Sequence, residues 1–511
     1  MESDRYNIPA SLRLELERLQ AMKPWSNSRY TYSDVGNGYL FADFFKETAR
    51  YVADRGCWYV YNGKVWEADR SAIAVMSLCK RLTWMLGQLV TCVGDEELRQ
   101  RLTENANRWR NRRTREIALK EAAEVYPLRM DAFDADPMVL NCLNGTLELR
   151  SCLLRPHSPA DLITRMANVE YREGAVSPLW EDFVLQVCES NFALHPERRK
   201  PPEPDEDADR IVEDAILNTS DKLDYLQKAM GYSLTGLTHH ECMHILYGPS
   251  TRNGKSTLLE TFSTLMGDYA ASAMPETIAS NAFLSGRGPS EDVARLAGTR
   301  FVTLAEPDKG LRISPSMIKR LTGNDTITCR FLHENSFEYR PQFKLFLNTN
   351  HLPPVGDDSV FRSGRMRVLP FERHFDNDER DPDLKRKLTE PEVLSAILNW
   401  ALTGLERMDE KGLLPPDFML NVADEYRMEG NAVGMFVADY LVPEEGARLK
   451  TVDVYRAYRI WCEENGFHYE NSASFLRELS AFGKVTKGRI GSANTRIFTG
   501  YSFSSPNFGR C

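Results

Sequence analysis

Met243-His-Ile-Leu-Tyr-Gly-Pro-Ser-Thr-Arg-Asn-Gly-Lys-Ser-Thr-Leu-Leu258 is the stretch on which the reading of the fold turns. Met243–Tyr247 is a short apolar run that reads as a buried strand, broken at Gly248-Pro249. A loop of small and polar residues follows and closes on Gly254-Lys255-Ser256-Thr257. Leu258–Met266 then carries helix formers with apolar spacing. Strand, glycine-bounded loop, Gly-Lys-Ser/Thr and helix form the pattern of a phosphate-binding loop. Glycines let the backbone approach phosphate oxygens, successive N–H groups face inward as an anion nest, and the helix N-terminus adds positive potential. The expected cradle for ATP is Gly248, Ser250, Thr251, Arg252, Asn253, Gly254, Lys255, Ser256 and Thr257. In it Lys255 reaches the β- and γ-phosphates, and the Ser256 hydroxyl holds Mg²⁺. The spacing departs from the usual one: Pro249–Asn253 puts five residues between the glycines, where four are standard.

At 511 residues the chain exceeds one ordinary domain, and two to four are expected. With 42% hydrophobic and 27% charged residues it has the composition of a globular protein. No secretory leader is expected at Met1-Glu-Ser-Asp-Arg-Tyr6, and no apolar run is long enough to span a bilayer. Ten cysteines are scattered without a Cys-x-x-Cys pair, so a reducing cytoplasm is expected rather than a disulfide framework or zinc site. The net charge of −9 argues against a surface that is basic all over, but leaves room for local basic patches on nucleic acid.

Residues 1–35 read as an irregular N-terminal segment and 36–195 as a mixed α/β domain. Two hairpins are predicted in that domain, at Asn62-Gly63 between aromatic and β-branched runs and at Asn144-Gly145. Residues 71–125 are helical in pattern, and the basic run Arg108–Arg115 within them reads as a solvated helix face. Residues 196–210 read as an exposed charged loop. Regular alternation then sets in. Thr299–Glu306, Phe343–Asn350 and Met366–Pro370 read as strands, so 211–375 is expected to be an ATPase domain built on a mainly parallel sheet with its ligand at the strands' carboxyl ends. Helices are expected over 376–445. A small domain at 446–511 follows, with ten Lys/Arg against five Asp/Glu between 447 and 511.

Hydrolysis needs a carboxylate near the cradle, and Glu306 ends a buried strand, with Asp308 two residues on. A polar residue on the neighbouring strand should sense the γ-phosphate; Asn348 and Asn350 both qualify. Transition-state charge calls for an arginine, often from a neighbouring subunit, and Arg362, Arg365 and Arg367 are candidates.

Several further blocks carry a resemblance. Ala294–Arg300, Ile318–Arg330, Phe337–Leu345, Thr349–Pro353 and Arg365–Phe371 resemble, in order, the superfamily III helicase domain of phage and plasmid primase–helicases, shared by the poxvirus-type proteins. Leu140–Arg150 and Arg155–Arg165 resemble the domain preceding it, and Ala396–Leu405 and Val454–Gly466 resemble its helical and winged-helix segments. The resemblance covers most of the chain from about residue 40. It implies an AAA+-like core, preceded by the mixed α/β domain and followed by helices and a winged-helix-like DNA-binding domain. By position, it makes Lys255, Glu306, Asn350 and Arg365 the catalytic set, with Arg365 as a finger reaching the next subunit. Ser256 and Glu306 would serve Mg²⁺, and Lys319 would touch DNA together with Arg330 and His333 of a channel hairpin carried by 322–337. The acidic motif departs from the family's pair, since Pro307 follows Glu306. The expected activity is that of an ATP-dependent DNA helicase of phage or mobile-element replication. Its partners would be single-stranded or forked DNA, identical subunits in a ring, commonly a hexamer, and a separate primase, in the cytoplasm of a bacterial host. The other readings are a replication initiator whose ATP site is only an assembly switch, and a metabolic kinase, against which the positive C-terminal end argues.

Overall fold

The computed structural model describes residues 10–195, 207–279, 291–308, 311–331, 335–355, 359–429, 432–464, 469, 471–480, 482–490 and 493–504. At its centre lies a five-stranded parallel sheet: β1 Met243–Tyr247, β2 Ala270–Ala273, β3 Phe301–Leu304, β4 Lys344–Thr349 and β5 Met366–Pro370, in the order β5-β1-β4-β3-β2. The middle strands are near-continuous apolar runs because both faces are covered, as parallel sheets require. Three helices follow or precede them: α1 Ala208–Leu234, α2 Lys255–Met266 and α3 Pro315–Thr322. A fourth, α4 Pro391–Lys411, lies along α1. The two backbones nearly touch at Gly231 and Gly404; a Cβ on Gly231 would stand 2.3 Å from Leu405 N, and one on Gly404 2.0 Å from Gln227 O.

Two buried cations close the C-terminal end of α1. Arg300, just before β3, donates to Leu234 O at 2.6 Å and to Val139 O at 2.8 Å. Lys344, at the start of β4, donates to Thr235 O at 2.5 Å and Leu237 O at 3.2 Å. Carbonyls that a helix end leaves without partners are thereby satisfied, and burial pushes Lys344 well below its usual pKa. The contact to Val139 also ties the sheet to the N-terminal part of the chain.

Both predicted hairpins form. Cys57–Tyr61 pairs with Trp66–Asp69 around Asn62-Gly63, and Val139–Cys142 with Gly145–Glu148 around Asn144. Helices Ile73–Leu89, Glu96–Trp109 and Arg112–Ala123 fill the region between. The basic run is a solvated face as expected: Arg108, Arg110, Arg112 and Arg113 are exposed, Arg112 pairing with Glu116 and Arg108 donating to Tyr32 O, while the half-buried Arg115 donates to Trp109 O and Arg110 O.

Three expected boundaries move. Residues 1–35 contain a helix, Ala10–Ala21, from which Arg18 donates to Phe44 O. One hydrophobic core runs from Met138 through Trp180 and the sheet to Met419, so neither 195 nor 375 separates two cores. A second core, from Leu19 to Ala122, is built by the N-terminal helices together with Ala49 and Trp58 of the strands beside them. The C-terminal module begins with the helix Ala432–Tyr440, not at 446; residues 443–446 lie inside the strand Leu441–Lys450, at its register shift. That strand pairs with Ala493–Phe503, which pairs with Lys484–Ile490, beside helices Thr451–Glu464 and Ser472–Leu479. No helix among the described residues is long and apolar enough to cross a membrane.

Candidate functional site

The loop Gly248–Thr257 leaves the carboxyl end of β1 and enters α2 at Lys255. Its length is absorbed by two left-handed residues, Arg252 (φ 58°) and Gly254 (φ 81°). Arg252 turns outward and donates to Asn377 Oδ1 at 2.6 Å, while Asn253 Nδ2 folds back onto Ser250 O at 2.7 Å. Close packing leaves no space at the glycines. A Cβ on Gly248 would meet Asn253 Nδ2 at 2.2 Å, Phe371 O at 2.6 Å and Lys255 Nζ at 3.0 Å; one on Gly254 would meet Val187 Cγ1 at 2.3 Å.

Lys255 is only 2% exposed. Its Nζ donates to Asn350 Oδ1 at 2.9 Å and, at 3.4 Å, to Gly248 O. Burial pushes its pKa down from 10.5 to about 8, against the pull of Glu306. Asn350, just past β4, grips Glu306 twice, through its backbone N (3.0 Å to Oε1) and Nδ2 (3.1 Å to Oε2). His351 Nδ1 lies 3.5 Å from the same carboxylate. Two residues earlier, Asn348 Nδ2 donates to Ser256 Oγ at 2.9 Å. Lys255, Ser256, Glu306, Asn348 and Asn350 therefore gather where β1, β3 and β4 end side by side. Both asparagines that the sequence left open are engaged, Asn350 on the lysine and carboxylate and Asn348 on the serine.

The remaining predicted residues lie elsewhere. Arg365 precedes β5 and accepts Met243 N at its carbonyl, so it stands at the opposite end of the strands from the loop, about 16 Å away at ~3.3 Å per residue. Its guanidinium is ion-paired to Glu241 and donates to Thr322 Oγ1 at 2.9 Å. Nothing in this chain brings it to the loop. Arg362 ends the short helix Ser359–Arg362, and Arg367 points from β5 toward His244 and Tyr225. Lys319 of α3 donates to Ser359 Oγ at 2.7 Å. Arg330 follows Ile327–Cys329, which pairs antiparallel with Phe337–Tyr339 to form a hairpin between β3 and β4. His333 lies outside the described residues.

Sequence reading missed the brace on the loop's outer side. Arg252 O accepts from Phe375 N at 2.9 Å, and Thr251 O lies 2.7 Å from His374 Nδ1. This segment is anchored by Arg373, itself buried against Glu189, His195 and Glu379. His195 and Glu189 lie 178 and 184 residues from Arg373 in sequence, so no local pattern marks them.

Fold and site together define a mixed α/β protein with a five-stranded parallel sheet and a glycine-bounded Lys-Ser-Thr loop at the sheet's carboxyl edge. Three family models match it in succession: D5 N terminal like at residues 38–189, a family of unknown function (DUF5906) at 246–365, and Poxvirus D5 protein-like at 428–499. D5-type family models thus match the chain on either side of the sheet. It is 25% identical over 415 residues to "Putative helicase 022R" of Frog virus 3 (isolate Goorha), a match covering 68% of this chain and 41% of that protein. "Putative helicase L207/L206" of Acanthamoeba polyphaga mimivirus is 24% identical over 368 residues, covering 68% and 35%. "Putative helicase 121R" of Invertebrate iridescent virus 3 is 22% identical over 359 residues, covering 65% and 35%. The chain thus spans well under half the length of these relatives. Among solved structures, the apo NrS-1 C terminal region superposes with a TM-score of 0.43 at 9% identity, over 88% of this chain and 95% of that one.

Proposed function

We propose that this chain is an ATP-dependent DNA helicase acting in replication of a phage or mobile element, in the cytoplasm of a bacterial host, with priming supplied by a separate primase. The observation that carries the reading is the bonded chain Lys255–Asn350–Glu306 at the carboxyl edge of the sheet. An enclosed ammonium at a glycine-bounded loop suits the β- and γ-phosphates of ATP. Glu306 is 44% exposed and turned to solvent at the strand end, where it can orient a water for attack. Asn350 links the two, so the position of the carboxylate follows the occupancy of the lysine. Arriving phosphates compete with Asn350 Oδ1 for Nζ, and the amide released from Nζ can contact the γ-phosphate.

Mg²⁺ fits the donor set, since the Ser256 hydroxyl and Glu306 carboxylate offer hard oxygens beside the loop. When bound it would neutralise charge on the phosphates. Asn348 orients the Ser256 hydroxyl, and Asn350 holds Glu306 away from Lys255.

The hairpin between β3 and β4, with Arg330 following its first strand, is the proposed DNA grip, together with Lys319 of α3 and with His333, which lies outside the described residues. The C-terminal module, with Lys484 and Lys487 exposed on its sheet, is a second contact. A homo-oligomeric ring, hexameric in this reading, would bring Arg365 of one subunit to the loop of the next. ATP turnover measured with and without single-stranded DNA, alongside mass in solution, tests the whole reading: DNA-stimulated turnover by a multimer is expected, and turnover indifferent to DNA would overturn it.

A further inference from the structure

Away from the nucleotide edge, a cleft of about 850 Å³ opens between α4 and the residues 149–152 and 171–181 of the N-terminal part. One wall is a stripe of α4 at helical spacing: Trp400, Thr403, Glu406 and Glu410, with Asp409 beside them. Across from it stand Tyr171 and Glu181, and Trp180 forms the floor, edge-on to Trp400 at 5.4 Å.

Three features of this cleft are uncompensated. Glu406, Asp409 and Glu410 crowd at three- and four-residue spacing, where like charges repel. They also sit in the last turns of α4, whose C-terminal carbonyls already present negative potential. Among the described residues none of these three, nor Glu181, has an ion-pair partner, whereas Arg407 on the neighbouring face of α4 pairs with Asp224 at 3.4 Å. Arg150 is the one cation lining the cleft. The negative field reaches the opposite wall: burial, then Glu406 and Glu173, push the Cys152 thiol up. The third feature is a donor. Trp180 is 1% exposed, and its indole Nε1 has no hydrogen-bond acceptor in the protein. A buried N–H without an acceptor is costly.

These needs are complementary to one kind of ligand. An extended peptide offers a backbone carbonyl to an indole N–H, and its lysine or arginine side chains offer cations to carboxylates and to the faces of Tyr171 and Trp400. We propose that the cleft between α4 and residues 171–181 is a docking site for a basic, Lys/Arg-bearing segment of a partner protein. Val176 at the rim, 75% exposed, provides apolar contact for the intervening residues. Because α4 also packs on α2, the helix that begins at Lys255, such a partner would sit one helix away from the loop.

The test uses the full chain and a fluorescein-labelled Gly-Arg-Lys-Arg-Gly peptide, followed by anisotropy at fixed ionic strength. Wild type should bind, and a Gly-Glu-Asp-Glu-Gly peptide should not. Glu406→Gln/Glu410→Gln, both exposed and safe for folding, should weaken binding about tenfold. Glu444→Gln/Glu445→Gln makes the same charge change on an exposed strand of the C-terminal module and should leave affinity unchanged. Trp180→Phe keeps the ring and removes the donor, and should weaken binding about threefold or more. Equal affinity in the two double variants would overturn the proposal, since binding would then follow net charge alone. It would equally be overturned if the Glu406/Glu410 variant changed the protein's mass in solution without peptide, which would assign the face to contacts between copies.

Discussion

Replacing Asn350 by alanine separates the roles that the site assigns to it. In the free protein Asn350 Oδ1 is the near acceptor for Lys255 Nζ, at 2.9 Å; the other, Gly248 O, is at 3.4 Å. Lys255 is too enclosed for water to take over freely. A hydrogen bond to a charged group contributes about 1.5–3 kcal/mol, so Asn350→Ala should destabilise the free protein by roughly that amount. At ~2–4 °C per kcal/mol for a cooperative unit of about 150–250 residues around the sheet, the transition that melts this unit should fall about 3–12 °C. The loss is specific to the empty site, because phosphates would supply Nζ with acceptors. At saturating ATP the variant should therefore melt within about 2 °C of wild type, and its nucleotide affinity should hold or rise. Turnover behaves differently. Glu306 keeps the backbone N of residue 350 but loses Nδ2, so its carboxylate is oriented by one bond instead of two. A 10–100-fold fall in kcat, about 1.4–2.7 kcal/mol, is expected. Thermal melts with and without ATP, a fluorescent-nucleotide titration and steady-state turnover provide the readouts. If the melting loss is the same with and without ATP, Lys255 does not exchange Asn350 for phosphate; if kcat is unchanged, Asn350 does not set Glu306.

Nucleotide affinity should depend on pH through Lys255. Its free-state pKa of about 8 is raised by bound phosphates, so binding takes up a proton above pH 8. Affinity should be level from pH 6.5 to 7.5 and fall by up to about tenfold per unit above 8; a flat profile to pH 9.5 would contradict this. Gly248→Ala should abolish nucleotide binding, since its Cβ would enter the space shared by Asn253 and Lys255, and undiminished binding would place the phosphates elsewhere. Removing residues 432–511, the whole C-terminal core, should weaken DNA binding and flatten its salt dependence while sparing basal turnover; an unchanged salt slope would make the module a packing element. Arg365→Ala subunits mixed with Lys255→Ala subunits should recover turnover above the sum of the two alone, once exchange is proven by labelled protomers. Glu241→Ala is the control: if it costs as much as Arg365→Ala and mixing recovers nothing, Arg365 serves only its internal pair.

The parallel sheet was legible because its strands are buried on both faces and so read as bare apolar runs; Met366–Pro370 forms with the predicted ends. The strand, loop and helix around Lys255 were legible because their signals are local: Gly248-Pro249 breaks the strand, and the helix opens just past Gly254 at Lys255. Boundaries were not legible. Residue 195 looked like an edge because charged residues follow it, yet Phe183, Val184 and Val187 belong to the same core as the sheet, and Val187 rests against Gly254. Residues 443–446 carry turn composition, but pairing of the flanking Val442 with Ser502 and Arg448 with Thr499 pulls them into a strand.

What also escaped the sequence was the burial of cations, and for one physical reason. Arg300, Lys344, Arg373 and Lys255 are all 3% exposed or less, although composition places such residues at the surface. Each is buried beside partners distant in the chain: Arg300 with Val139 O, 161 residues away, and Lys255 with Asn350, 95 residues away. A buried cation is tolerated only where several acceptors converge, and convergence is a property of the assembled sheet. Three of the four are held by acceptors that this chain keeps in place, namely helix-end carbonyls or paired carboxylates. Lys255 differs: its near acceptor is a side-chain amide shared with an exposed carboxylate. That makes it the one of the four whose partner an entering anion can replace, and the displaced amide is the group that holds Glu306. In the proposed reading, coupling between occupancy of Lys255 and the placement of Glu306 therefore rests on Asn350, one residue past the end of β4.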